Sequence, residues 1–295
     1  MSSRGMCALV AVALTWSLPA CTTRAPSDAV DASFFGEVDA FVPPDAPPTD
    51  APRVDGGPSV SDVLIYAHSR DTLFTFSPFT ETVETIGVFT LPGGEPAPYM
   101  LDLAVNADGD VYTSSDEALY RVDPETAIAT LVGQFEIAPE QLFALVFLGA
   151  GELRAAETLI GATNEGVYYE VDPANARTTM LARYPGDWRS SGDLVSVDGL
   201  GTFATLRDPD RTDTDFLARI AFRPDGTSSL TVLGEIGYRQ IFGLGYWGRA
   251  LYGFSNAGEL VEIDRETGRG SIAVTDTGTT QFWGAGVTTQ APVLF

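Results

Sequence analysis

The chain has 295 residues and a formal net charge of −23, with 40 acidic residues against 17 arginines and no lysine. Such an acidic surface repels nucleic acid and anionic membrane faces, and the missing lysine removes Schiff-base chemistry and the phosphate-gripping lysine of nucleotide loops. A single histidine, His68, excludes a multi-histidine metal centre; the only cysteines, Cys7 and Cys21, leave everything after residue 21 without a thiol nucleophile or a disulfide.

Residues 1–20 read as an export signal: one positive charge at Arg4, an apolar run from Met6 to Leu14, then Leu18-Pro19-Ala20-Cys21. The run is too short for the roughly 20 residues that a spanning helix needs. The final tetrapeptide resembles the lipobox of bacterial lipoproteins, with an aliphatic residue three places before the cysteine and a small one directly before it. The resemblance implies that Cys21 receives the lipid, becomes the mature N-terminus and ties the protein to a membrane. Thr22-Thr23 lacks the aspartate that marks inner-membrane retention, so the expected address is extracytoplasmic, in the cell envelope at the outer membrane.

Residues 21–62 change character. Ala, Asp and Pro dominate, and Asp-Ala recurs at 28, 31, 39, 45 and 50. Such a composition buries too little apolar surface to offset the entropy of ordering, which predicts a disordered linker. Fully extended as polyproline, its roughly 40 residues would reach about 120 Å.

From Val63 onward the pattern is short alternating strands broken by Gly, Asp and Asn turns. Leu119-Tyr-Arg-Val-Asp-Pro-Glu-Thr-Ala, Tyr168-Tyr-Glu-Val-Asp-Pro-Ala-Asn-Ala and Leu260-Val-Glu-Ile-Asp-Arg-Glu-Thr-Gly are copies of one unit, and Leu73 and Leu217 begin weaker copies. The turn positions Pro78, Pro124, Pro173, Pro224 and Arg265 are spaced by 46, 49, 51 and 41 residues, the period of a four-stranded propeller blade. The 30 residues after Arg265 and the 15 from Val63 to Pro78 together supply one more blade's worth. The expectation for 63–295 is therefore an all-β single β-propeller of five blades of four strands, closed by the C-terminal strand, with six narrower blades as the alternative. The segment from Gly286 to Phe295 also matches the first hairpin of a blade. The copies resemble the Tyr-Val-Thr-Asn and quinoprotein-like repeats of bacterial propellers. That resemblance implies fold and not function, because the fold hosts hydrolases, lectins and scaffolds.

In a propeller, the turns between second and third strands and the connections between blades share one face. His68, Asp208 to Asp215 and Asn256 are expected on the first kind of loop. Tyr99, Glu140, Trp188, Arg189, Tyr238, Arg239 and Trp283 fall on or near the second. Asp208, Asp210, Asp213 and Asp215 offer four carboxylates in eight residues, the hard oxygen ligands that calcium takes; a solvated hairpin loop uses the same residues. His68, Tyr99, Trp188, Arg189, Arg239 and Trp283 are the candidates for ligand contact, with packing between sheets as the alternative role of the aromatics. Without Lys, Cys or a second His, the surviving catalytic chemistry is a carboxylate pair as in glycosidases, for which Asp102, Asp193 or Glu140 would serve. The reading that results is a monomeric, lipid-anchored binding module for a protein or glycan ligand, with no catalytic residues assigned and no cofactor beyond the candidate calcium. A carboxylate- or calcium-dependent hydrolase is the alternative.

Overall fold

A computed structural model of the chain describes residues 64–138 and 140–293. The expected signal, Cys21 and the linker lie outside the described residues. Twenty strands form five separate four-stranded antiparallel sheets, and no helix occurs among the described residues. The first sheet contains β1 (Ile65–His68), β2 (Thr72–Ser77) and β3 (Thr82–Val88). The second is β4 (Met100–Val105), β5 (Val111–Ser115), β6 (Ala118–Val122) and β7 (Ala129–Gln134); the third is β8 (Ala144–Leu148), β9 (Thr158–Ala162), β10 (Val167–Val171) and β11 (Thr178–Arg183). The fourth is β12 (Arg189–Val197), β13 (Gly201–Asp208), β14 (Arg211–Phe222) and β15 (Ser228–Glu235), and the fifth is β16 (Ile241–Trp247), β17 (Ala250–Ser255), β18 (Leu260–Ile263) and β19 (Gly270–Val274). The last strand, β20 (Gly284–Gly286), returns to pair with β1 as the innermost strand of the first sheet. This is a five-bladed β-propeller.

Closure follows from burial. β4, β8, β12, β16 and β20 each pack against the next around a ring, and closing the ring leaves no inner edge open to another chain. Aromatic side chains fill the wedges between blades. Phe76 of blade one meets Tyr252 of blade five edge-on with centroids 5.2 Å apart, Tyr112 of blade two meets Phe147 of blade three at 5.5 Å, and Tyr168 of blade three meets Phe222 of blade four at 5.1 Å. Most of these rings are buried, so each contributes a large apolar area to the core.

The repeated Asp-x-x-x turn is explained by its hydrogen bonds. Asp123 Oδ1 accepts the N–H groups of Glu125 and Thr126; Asp172 Oδ1 accepts that of Ala174; Asp264 Oδ1 accepts those of Glu266 and Thr267. Each turn then needs a left-handed residue before the outer strand. Glu81, Ala127 and Ala176 take it at φ 54°, 58° and 62°, and Gly268 at 76°.

The end of the chain corrects one expectation. After the three residues of β20, residues 287–293 form no hairpin. They run beneath the ring, with Thr288 bridging Val105 of blade two, Thr289 donating to Glu157 of blade three, and Thr289 O accepting from Asp198 N in the β12–β13 turn. Pro292 O then accepts from Gly248 N of blade five. The tail thus ties four blades together at one mouth of the ring.

Candidate functional site

With that mouth crossed by the tail, the opposite face carries the site candidates. The topology puts residues 69–71, 116–117, 164–166, 209–210 and 256–259 between second and third strands, and residues 99, 140, 188, 239 and 283 on the connections between blades or beside them. Of the residues expected on the first kind of loop, His68 ends β1, and of 208–215 only 209–210 form the turn, since Asp208 ends β13 and Asp213 and Asp215 lie in β14.

The candidates separate into two surface groups. Arg189 and Arg239 line a cleft of about 440 Å³ with Arg207, Arg211, Asp208 and Asp215. Arg189 Nη1 reaches Glu165 Oε2 of blade three at 2.8 Å, and Arg211 reaches Asp213 and Glu235, each at 3.0 Å. Neither Arg207 nor Arg239 forms an ion pair within 4 Å among the described residues. Trp188 stands beside this cleft, edge-on against Phe216 at 5.2 Å. On blades one and two, the guanidinium of Arg70 is held between the rings of Tyr99 and Trp283, 4.7 and 4.8 Å from their centroids. Both rings present their negative faces to the cation. A second cleft, of about 560 Å³, runs beside Tyr99 along Pro96, Pro98, Tyr120 and Leu131.

His68 does not belong to the surface groups; it is fully buried. In the ladder it pairs with Gly284 of the innermost strand, and its ring turns inward with Nδ1 donating to Ser69 O at 2.6 Å. Nε2 has no hydrogen-bond partner, and neither does Asp102 Oδ1. Both atoms flank Gly284: an added Cβ would stand 2.5 Å from His68 Nε2 and closer still to Asp102 Oδ1. Only glycine fits that point of the ring.

Asp102 on β4 and Asp193 on β12 are likewise fully buried. Asp102 Oδ2 accepts the N–H of Leu145 on blade three at 2.6 Å, and Asp193 Oδ2 accepts that of Leu244 on blade five at 2.5 Å. Each inner strand has N–H groups facing the axis, and these carboxyls satisfy them from the preceding blade. Burial pushes both carboxyls well above the usual range, and the charge of Asp193 pushes Asp102 further. Each carboxyl therefore keeps a proton more readily than a free one does. Burial also lowers His68 to about 4, with its bond to Ser69 opposing, leaving it neutral. The two acids considered for a glycosidase pair are therefore enclosed and committed to the main chain. Glu140, the third, is exposed and accepts the hydroxyl of Tyr169.

The four aspartates considered for calcium are not gathered. Asp208 Oδ1 accepts Asp210 N at 2.9 Å, Asp213 pairs with Arg211, and Asp215 points inward, its Oδ2 accepting Ile241 N at 2.8 Å. Asp208 and Arg211 are cross-strand partners across the two-residue turn. No group of three or more His, Cys, Asp or Glu residues stands ready for a metal ion among the described residues.

No protein-family model matches the chain, and no curated protein matches it. Among solved structures it is similar to a protein of unknown function from Bacteroides caccae, at 10% identity over 76% of this chain and 98% of that one, with a TM-score of 0.42. It is similar to the propeller of Dos1 at 12% identity over 73% of this chain and 56% of that one, TM-score 0.39. For BamB from Moraxella catarrhalis the values are 13%, 70% of each chain and 0.33. The assignment of five blades rests on the strand order above.

Proposed function

We propose that this protein is a lipid-anchored, extracytoplasmic binding module, tethered through Cys21 and presenting one face of its propeller to a ligand. The observation that carries the reading is the division of labour between axis and face. The buried acids Asp102 and Asp193 hold neighbouring blades together, whereas the tail-free face has clefts furnished with arginines and aromatic rings. Tyr, Trp and Arg are the side chains that dominate binding energy in recognition surfaces. Flat rings at Tyr99 and Trp283 and the forked arginines suit stacking and polar contact with a glycan.

The test is a retention screen of the full chain, in detergent, against immobilised glycans and peptides. Retention lowered by Trp283→Ala or Arg239→Ala, and unchanged by Arg177→Ala on the opposite face, supports the reading. Retention insensitive to both loop-face changes, or lost with Arg177→Ala alone, contradicts it.

A further inference from the structure

Arg189 and Arg207 are direct cross-strand partners on β12 and β13. Such partners on one face have Cβ atoms about 4.5–5.5 Å apart, and like charges in that position are destabilising. The domain has few positive charges to spend, since residues 63–295 hold 14 arginines against 32 acids. Yet four of the 14 line this single cleft.

The surrounding pairs sharpen the point. Glu165 draws Arg189 to one side, and Asp213 with Glu235 fixes Arg211. Arg207 and Arg239, both exposed, form no salt bridge within 4 Å among the described residues. Asp215 beneath them is 4% exposed, and one of its oxygens is taken by Ile241 N. The cleft therefore offers two guanidinium forks that no carboxylate among the described residues holds in a salt bridge, with Asp215 as the acid that acts on Arg207 from within the cleft. A planar fork matches a carboxylate through two parallel hydrogen bonds. Thr212 and Gln240 add groups for hydroxyls, and the half-buried Phe242 adds an apolar wall. A carboxylate, hydroxyls and an apolar ring face occur together in a uronic acid.

We propose that this cleft, between blades four and five, binds an acidic saccharide by its carboxylate, held between Arg207 and Arg239 with Arg189 alongside. The proposal rests on the reading of the chain as a binding module and specifies its ligand class. The volume of about 440 Å³ admits one or two sugar rings.

The experiment is calorimetric titration of the full chain, in detergent, with trigalacturonate and with its methyl ester, at about 50 and about 300 mM NaCl. Exposed charge pairs weaken as salt rises. The expected result is binding of the free acid, at least about tenfold weaker binding of the ester, and weaker binding at the higher salt. Arg207→Gln and Arg239→Gln each lower affinity by about tenfold or more, with Arg177→Gln without effect. A melting temperature of Arg207→Gln equal to or above that of the unchanged protein shows that the loss is not unfolding, and it follows from removing a like-charge pair. No binding, equal binding of acid and ester, or indifference to Arg207→Gln overturns the proposal. So does a glutamate-rich peptide that occupies the cleft where the trisaccharide does not. Retention of a neutral glycan on the same chain, insensitive to Arg207→Gln, would overturn the proposal and leave the binding-module reading standing. Cleavage of the trisaccharide would overturn that reading itself.

Discussion

Asp193 of blade four holds the main chain of Leu244 in blade five, with its Oδ2 accepting the Leu244 N–H at 2.5 Å while Oδ1 accepts that of Leu194 at 2.6 Å. A propeller is joined between blades mainly by apolar packing, so a buried carboxyl that spans two inner strands also fixes their relative height. Asp193→Ala would orphan both N–H groups inside the ring. Each buried unpaired group costs about 1–3 kcal/mol, so a loss of about 2–5 kcal/mol is expected in denaturant unfolding. Asp102→Asn should cost less than Asp193→Ala, because an amide oxygen can still accept the Leu145 N–H. Equal losses for the two would contradict this role of the accepting oxygens.

His68 predicts a pH dependence. Its folded value of about 4 lies below the usual 6.5, so between these values the unfolded chain binds more protons than the folded one. Stability from this group is present above pH 6.5 and is lost as pH falls toward 4, by up to about 3 kcal/mol. The raised carboxyls of Asp102 and Asp193 act in the opposite sense, since their protonation favours the folded state as pH falls. Comparing the protein with His68→Gln isolates the histidine. The stability difference between them should shrink as pH drops from 6.5 to 4, and a constant difference would show that His68 does not titrate in this way.

Glu81 is exposed and holds φ at 54°, where a side chain costs about 1 kcal/mol that glycine does not incur. Glu81→Gly should therefore stabilise the domain by about 0.5–1 kcal/mol. Thermal melting checks it, and a fall in melting temperature would show that Glu81 makes a compensating contact.

How far the sequence could be read follows from these residues. The turns that begin at Asp123, Asp172 and Asp264 announced the blades because their period reflects local hydrogen bonds to these aspartates. The loop face followed from counting strands. Two features were hidden. Counting back from the Val197–Gly201 turn would set Arg189 opposite Pro209; the register shift between Ser190 and Leu194 sets it opposite Arg207 instead, and nothing local in the sequence announces that shift. The role of Asp102 and Asp193 depends on which strand follows across the ring, a non-local relation. The signal available was an acid inside an apolar strand, in Leu101-Asp102-Leu103 and again before Leu194, a placement that needs partners. His68 reads in the sequence as a loop residue, but its pairing with Gly284 of the innermost strand makes it the buried end of β1.

The tether makes its own prediction. Cys21→Ala should move the chain from the detergent phase to the aqueous phase on phase separation and abolish incorporation of a fatty-acid label. Unchanged partition would remove lipidation of Cys21 from the account.

The most direct test of the central claim is the mass of a retained ligand. Full chain in detergent would be incubated with a pool of glycans, washed, and the bound fraction analysed by mass spectrometry. The account predicts ligands retained at unaltered mass, in amounts reduced by Arg239→Ala or Trp283→Ala. Cleaved products that vanish in Asp102→Asn or Asp193→Asn would contradict it, because they would make the buried acids of the axis a catalytic pair.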